Sequence, residues 1–409
     1  MTQPWMFAVF FIVVCSLFGL TQYRLFRLFR VWIAAAFHEA RRRVWLKAGR
    51  AVLLGFNILF ALQFVLRISS VYDAPLVQSL FIYPSGLFFA TVVLSFLIVS
   101  MTDIVRLLLR LGRRLAGAHP VTKEDTGIPL DEERRKFLMR SGLTTVAALG
   151  SFPIVASLAT ARDYQLNRIE LKLQGFPSEL NGMTLVQISD IHSGIYMTEE
   201  NMKEIIDLAN SLHPTIVMVT GDFVDSSDSQ IEPLSNALKD LKAELAVYGC
   251  LGNHDHFATA SRVTAAVQER GVVMLNNSHE KMILNNRMIT VVGIDDAGHG
   301  AANFGSFDEA LNGVDPESFK IMLTHRPAAW DECRTRGLNL TLAGHTHGGQ
   351  VGFQIGPLNL NPVYLVHKYA MGLYEEEEKY LYVNVGVGMV GVPIRMVRPE
   401  IAAITLISA

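Results

Sequence analysis

Three cysteines, Cys15, Cys250 and Cys333, are all that 409 residues contain, too few for a disulfide framework or a thiolate zinc site. Charge is scarce as well. Only 18% of residues are charged while 50% are hydrophobic, and the mean hydropathy is +0.28. That balance excludes an intrinsically disordered chain and argues against a purely soluble one. Four stretches have no charge at all: 1–23, 51–66, 74–102 and 141–161. At this length two or three domains are expected.

The net charge of -2 conceals a split. Residues 1–161 carry 18 Lys and Arg against 8 Asp and Glu, a balance of +10, and residues 162–409 carry 18 against 30, a balance of -12. The two parts therefore read as separate domains, 1–161 and 162–409. The acidic part is a poor partner for nucleic acid, whose binding depends on Lys and Arg neutralising phosphates. The basic part is also the apolar part, which points to a membrane.

A spanning helix needs about 20 apolar residues. Three of the four uncharged stretches meet that length, and the shorter 51–66 is flanked by Arg50 and Arg67, which can snorkel. The expectation is an all-α anchor of about four transmembrane helices. Residues 24–50 hold eight basic residues and one acid, and residues 103–140 hold nine basic residues. By the positive-inside rule both segments are cytoplasmic. The fourth helix then delivers the C-terminal domain to the extracytoplasmic, periplasmic side of a multi-pass inner-membrane protein. Arg134-Arg135-Lys136 ahead of an apolar stretch resembles a twin-arginine export signal, or serves equally as the basic flank of a fourth span. Cleavage near Ala159 or Ala161 is left open. Residues 25–38 suit an amphipathic helix on the membrane surface or a continuation of the first span. With no charge inside the four spans, nothing suggests a transport path.

From residue 162 onward, short β-rich runs alternate with helical segments, and five runs end alike. MTLVQIS leads into Asp190-Ile191-His192, TIVMVT into Gly221-Asp222, and LAVYGCL into Gly252-Asn253-His254-Asp255. FKIMLT leads into His325, and LNLTLA into Gly344-His345-Thr346-His347-Gly348-Gly349. Buried strands of an α/β fold gather ligands beyond their carboxyl ends. Asp190, His192, Asp222, Asn253, His325, His345 and His347 are oxygen and imidazole donors, a set suited to Mn, Fe or Zn. Seven ligands are too many for one ion. With one carboxylate bridging they suffice for two, the arrangement that clamps the attacking and leaving oxygens of phosphoryl transfer.

This order of motifs, with Asp225 completing Gly221-Asp222-x-x-Asp225, resembles the calcineurin-like metallophosphoesterase superfamily across roughly 180–409. The run GHTHGGQ (Gly344–Gln350) and the closing Tyr382-Val383-Asn384, Pro393-x-Arg395 and Pro399-Glu400 look like its bacterial membrane-associated branch, which includes exported phosphodiesterases and lipid-precursor pyrophosphatases. Asn384 stands where that branch usually has Ser or Thr. The resemblance implies an αββα four-layer sandwich. It also implies that Asp190, His192 and His347 hold a first metal, that Asn253, His325 and His345 hold a second, and that Asp222 bridges. His254 would act as general acid or charge stabiliser, oriented by Asp255, while Asp225 would be a turn or outlying residue.

The expected activity is hydrolysis of a phosphate ester, foremost a phosphodiester, through a metal-bridging hydroxide attacking in line. The cofactor would be two divalent ions (Mn2+, Fe2+/Fe3+ or Zn2+). A membrane-proximal, lipid-linked phosphate is the expected partner class on location alone. The alternatives are a pyrophosphatase on a lipid-linked pyrophosphate and a non-catalytic metal-binding scaffold or sensor. Three further features get plain expectations: the loop Asp295–Gly300 as an ordinary connection, His256 facing solvent, and Glu375–Glu378 as a solvated hairpin tip.

Overall fold

A computed structural model describes residues 4–66, 75–115, 157, 160–296, 305–355, 358–391 and 393–409. The chain divides into two compact units, Met1–Val155 and Ala156–Ala409. The fourth uncharged stretch and the Arg134-Arg135 pair lie outside the described residues, apart from a few positions after 156.

The described part of the first unit is helical. Helix α1 runs Pro4–Ala36, α2 Glu39–Leu66 and α3 Tyr83–Leu115. Residues 25–36 thus continue the first helix. The basic segment 24–50 is helical except at Phe37 and His38. Among the described residues one stretch, Glu39–Gln63, is long and apolar enough to cross a membrane. The helices are cross-linked by polar side chains. Gln22 and Asn57 exchange two amide hydrogen bonds at 3.0 and 2.8 Å, Ser85 donates to Gln63 at 3.0 Å, and Arg24 pairs with Asp103. Aromatic rings fill the rest, with Phe18 against Phe60 at 5.4 Å and Phe56 against Phe88 at 4.9 Å between centroids.

The second unit contains two six-stranded sheets and a short hairpin. The first sheet orders Gln165–Leu173 (β1), Glu400–Ser408 (β14), Met183–Ile188 (β2), Ile216–Thr220 (β3), Ala246–Cys250 (β4) and Val272–Met274 (β5). All its pairings are parallel except β14 with β2. The second sheet orders Gly372–Glu376 (β12), Lys379–Val383 (β13), Leu340–Ala343 (β9), Phe319–Leu323 (β8), Arg287–Gly293 (β7) and Ser278–Leu284 (β6). Its inner pairings are parallel and its two edge pairings antiparallel. Phe353–Ile355 (β10) and Leu358–Leu360 (β11) form the hairpin.

Successive strand side chains point to opposite faces, so each strand serves two cores at once. Leu185, Ile216 and Met218 meet Ile321, Leu323, Leu340 and Leu342 between the sheets. Val186, Ile188, Val217 and Val219 face outward onto helices α4 (Glu199–Asn210), α5 (Ile231–Leu238) and α6 (Ala260–Gln268). On the far side, Val292, Met322 and Leu381 pack on α7 (Phe307–Leu311) and α8 (Trp330–Thr335). The inner strands are largely apolar because they are covered on both faces, whereas the edge strands Gln165–Leu173, Ser278–Leu284 and Gly372–Glu376 carry exposed polar residues; the layering is helix, sheet, sheet, helix. Helix α4 shows the local logic. The Thr198 side chain accepts from the Asn201 N–H to cap it, and Met202, Ile205, Ile206 and Ala209 form the buried stripe.

Polar side chains also link the two sheets, and one of them lies beneath the site. Gln187, fully buried, donates to Thr220 Oγ1 and to the Ala343 carbonyl, each at 3.0 Å. It ties β3 of one sheet to β9 of the other, just beneath the strand ends that carry the polar motifs.

Leu342 is completely buried between the sheets, whereas Ile283 is 74% exposed. Leu342→Ala is expected to cost about 2–5 kcal/mol, seen as a lowered melting temperature of the detergent-solubilised chain. Ile283→Ala should stay within about 0.5 kcal/mol of wild type.

Candidate metal centre

The polar motifs all lie just past the carboxyl ends of β2, β3, β4, β8 and β9, where the two sheets meet. The chain reaches this meeting point by an uncommon backbone. Asp190, His192, Asp222, His345 and His347 all have φ between 49° and 71°, a left-handed conformation that is unfavourable for non-glycine residues. Such strain persists only where the surroundings over-determine it, and here they do. Asp190 N–H bonds the Gly221 carbonyl at 3.1 Å, His192 N–H the Asp222 carbonyl at 2.9 Å, and Gly344 N–H the His325 carbonyl at 3.0 Å. The ligand loops are thus stitched to one another. Two glycines permit the approach: a Cβ on Gly252 would lie 2.2 Å from Asp222 Oδ1, and one on Gly344 1.9 Å from Ser189 Oγ.

Beside a group formed by His192, Asp225 and His254, two groups of donors fall at the expected ligand positions: Asp190, His192 and His347 form one, and Asp222, His325 and His345 the other, with the ligand atoms of each within 4.8 Å of one another. Asp222 connects them, its Oδ2 lying 3.1 Å from His325 Nε2 and 3.4 Å from His192 Nε2. Within each group two imidazoles point nitrogen to nitrogen, His192 Nε2 to His347 Nε2 at 3.0 Å and His345 Nδ1 to His325 Nε2 at 3.1 Å. Asn253 joins them in sequence, and its Oδ1 is buried without a hydrogen-bond partner.

The electrostatics follow from burial. Desolvation pushes His192 and His347 down to about 3, Arg395 assisting at His347, and pushes His345 down to about 2. All three rings are therefore neutral and keep a lone pair to give. Burial acts the same way on His325, but the Asp222 carboxylate outweighs it and lifts this ring to about 10. Burial raises Asp190; Asp222, although buried, is held well below the usual carboxylate range by His325 and His192. The protein's own cation beside Asp222 is thus a proton on His325, in a place suited to a stronger positive charge. Neutral imidazoles, an ionised carboxylate between them and an orphaned amide oxygen fit divalent cations, and the absence of thiolate suits Mn, Fe or Zn. Cys250 is close by but buried, its thiol pushed well up by desolvation, and it is no ligand.

Each expected site residue is found at this junction, with one correction. Asp255 does not orient His254: its two oxygens accept the Val224 and Gly252 N–H groups at 3.0 and 2.9 Å, tying two ligand loops together. The ring of His254 instead places Nδ1 on the Asp225 carbonyl, with Asp225 Oδ1 at 3.8 Å. A carbonyl only accepts, so Nδ1 carries the proton and Nε2 is left for substrate. The backbone N–H of His254 donates to Asp222 Oδ1 at 2.8 Å. His256 also departs from expectation, pairing with Asp295 at 2.8 Å instead of facing solvent. Asp296 pairs with Arg326, next to His325, at 2.8 Å. The start of the 295–300 loop is thus fastened beside the centre, while 297–300 lie outside the described residues. Glu375–Glu378 form the exposed tip between β12 and β13. Arg395 was visible in the sequence only as part of a terminal pattern, and it reaches His347 Nδ1 at 3.3 Å.

Comparison with known proteins identifies the family. The model of the calcineurin-like phosphoesterase family matches residues 183–349. The uncharacterized metallophosphoesterase YkuE of Bacillus subtilis is 30% identical over 287 residues, covering 67% of this chain and 97% of that protein. The chain belongs to the calcineurin-like phosphoesterase family. As a member it is a metal-dependent phosphoester hydrolase. A zebrafish protein named as a transmembrane protein with metallophosphoesterase domain is 33% identical over 254 residues, which are 58% of this chain but only 56% of that relative. Its bovine namesake is 29% identical, with 65% of its length covered. Among solved structures an archaeal phosphodiesterase aligns over 49% of this chain and 82% of its own at 12% identity, with a TM-score of 0.27.

Because a Cβ at Gly344 would strike Ser189 and lie 2.3 Å from Asp190 Oδ2, Gly344→Ala is expected to abolish metal retention. The check is bound metal by mass spectrometry after dialysis, with Gly112→Ala, which meets nothing within 4 Å, retaining wild-type content.

Proposed function

We propose that this protein is a membrane-anchored phosphoesterase with a dinuclear metal centre, acting foremost on phosphodiesters. Asp190, His192 and His347 would hold one ion, Asn253, His325 and His345 the other, and Asp222 both. Bound there, two divalent cations would supply Lewis-acid charge to a phosphoryl oxygen and an activated water as nucleophile. The residues do the rest. Burial keeps three imidazoles deprotonated, and Asp255 holds the loops of Asp222 and Asn253 together. His254 offers its Nε2 toward the phosphoryl group, where, once the ring carries a second proton besides the one on Nδ1, it would donate a hydrogen bond or proton to the departing oxygen. The observation that carries this reading is Asp222, lying between two facing imidazole groups and also bonded to the backbone of His254.

Residues 1–161 would anchor the domain, residues 162–409, through about four spans and place it outside the cytoplasm. The apolar Glu39–Gln63 helix, the basic segments on either side of the apolar stretches and the relatives named as transmembrane proteins support this. A domain held at a bilayer meets phospholipids and lipid-linked phosphates, so a lipid-linked pyrophosphate is the second substrate class.

The test is hydrolysis of bis-p-nitrophenyl phosphate and p-nitrophenyl phosphate by the full chain in detergent, with Mn2+ or with chelator. Metal-dependent turnover with the diester preferred is expected, and Asp222→Asn and His254→Ala should each lower it by about 100-fold or more. Turnover that survives both substitutions would refute the site assignment. Two bound ions without turnover of either ester would favour the pyrophosphatase, and no bound metal would favour a scaffold.

A further inference from the structure

Arg395 is a fully buried cation. Burying a guanidinium is costly unless every N–H is satisfied, and here all five have acceptors. Nε donates to the Val397 carbonyl at 3.0 Å, and Nη2 to the carbonyls of Val385 and Gly386 at 2.7 Å each. Nη1 donates to the Gly388 carbonyl and faces His347 Nδ1 at 3.3 Å. Four of the five partners are main-chain carbonyls of the segment after β13. The fifth is a member of the first donor group.

That segment supports Asp190 as well. Val387 N–H bonds the Ser189 carbonyl at 3.0 Å and Gly388 N–H the Asp190 carbonyl at 2.8 Å. A Cβ on Gly386 would lie 2.7 Å from the Asp190 Cβ. The guanidinium therefore grips the backbone that backs Asp190 and the ring of His347 together. With Nδ1 against the arginine, His347 Nε2 is turned to Asp190 Oδ1 at 3.3 Å and His192 Nε2 at 3.0 Å.

Arg395 is itself held by residues that precede the first strand. Its N–H donates to Ser157 Oγ at 2.7 Å, Ser157 Oγ lies 3.5 Å from the Pro393 carbonyl, and Thr160 Oγ1 donates to the Arg395 carbonyl. These residues belong to the last uncharged stretch, where an export signal or a fourth span was expected.

We propose that Arg395 is the positioning residue of the Asp190–His192–His347 half of the centre, and that Ser157 and Thr160 hold it in place. The inference rests on the two-metal reading above. It makes the end of the apolar stretch part of the metal-binding domain, so cleavage at Ala159 or Ala161 would remove a support of one ion and not of the other.

The test uses the full chain in detergent loaded with Mn2+. Readouts are ions per chain, the electron paramagnetic resonance spectrum, which separates a coupled Mn pair from an isolated ion, and the melting temperature. Arg395→Lys keeps the charge but has three N–H donors for five acceptors. It is expected to weaken one ion by about 10–100-fold, replacing the coupled-pair signal with that of a single ion. Ser157→Ala combined with Thr160→Val should weaken the same ion by a smaller factor with the melting temperature unchanged. Retention of both ions within about twofold of wild type in Arg395→Lys, or equal loss of both, would overturn the proposal. Should Arg395→Lys fail to fold, the double variant decides alone: selective weakening of one ion sustains the proposal, and no effect or an equal effect on both ends it. Wild-type chain that binds fewer than two ions would instead remove the dinuclear reading, before any variant is compared.

Discussion

Two carboxylates, Asp190 and Asp222, are buried side by side where water cannot solvate them, and the rest of the domain answers that constraint. A buried carboxylate must find positive charge or hydrogen-bond donors. Main-chain N–H groups supply part of the need: His345 donates to Asp190 and His254 to Asp222. Imidazoles supply more, but burial keeps His192, His345 and His347 neutral, so they bring lone pairs instead of charge. A buried site with ionised oxygen and neutral nitrogen is completed by cations, one of which would replace the proton on His325.

Holding such a site requires that several loops stay in conformations they would not adopt alone. Five of the seven donor residues have left-handed backbones, each costing on the order of 1 kcal/mol or more. The strain is opposed by packing on three levels. Apolar strands fill both faces of each sheet, Gln187 links the sheets below the site, and Asp255 ties together the loops after β3 and β4 from behind. Function and stability draw on the same contacts here: the loops that bear the ligands are each other's hydrogen-bond partners.

The first unit obeys other rules. Among the described residues its helices associate through paired amides, one hydroxyl, the Arg24–Asp103 ion pair and stacked rings, such as Gln22 with Asn57 and Phe18 with Phe60. Polar links of this kind fix register between apolar helices without requiring a charged path between them.

Much of the site was legible because its chemistry is local. Asp190-x-His192, Gly252-Asn253-His254-Asp255 and Gly344-His345-Thr346-His347 each put donors next to the residues that position them, and each follows a strand whose apolar run is unmistakable. Composition likewise separated the basic, apolar part from the acidic one. What the sequence could not determine is which distant neighbour each side chain meets. Adjacency suggested Asp255 as the partner of His254, but the chain turns after Asn253, so Asp255 faces backbone and Asp225, almost thirty residues earlier, receives the ring. His256 finds Asp295, and Arg395 finds His347, across comparable distances in sequence. Residue type, order and strand position are one-dimensional and were determined by the sequence alone. Hydrogen-bond partners depend on where loops from separate strands converge, and only the packing of two sheets against each other decides that.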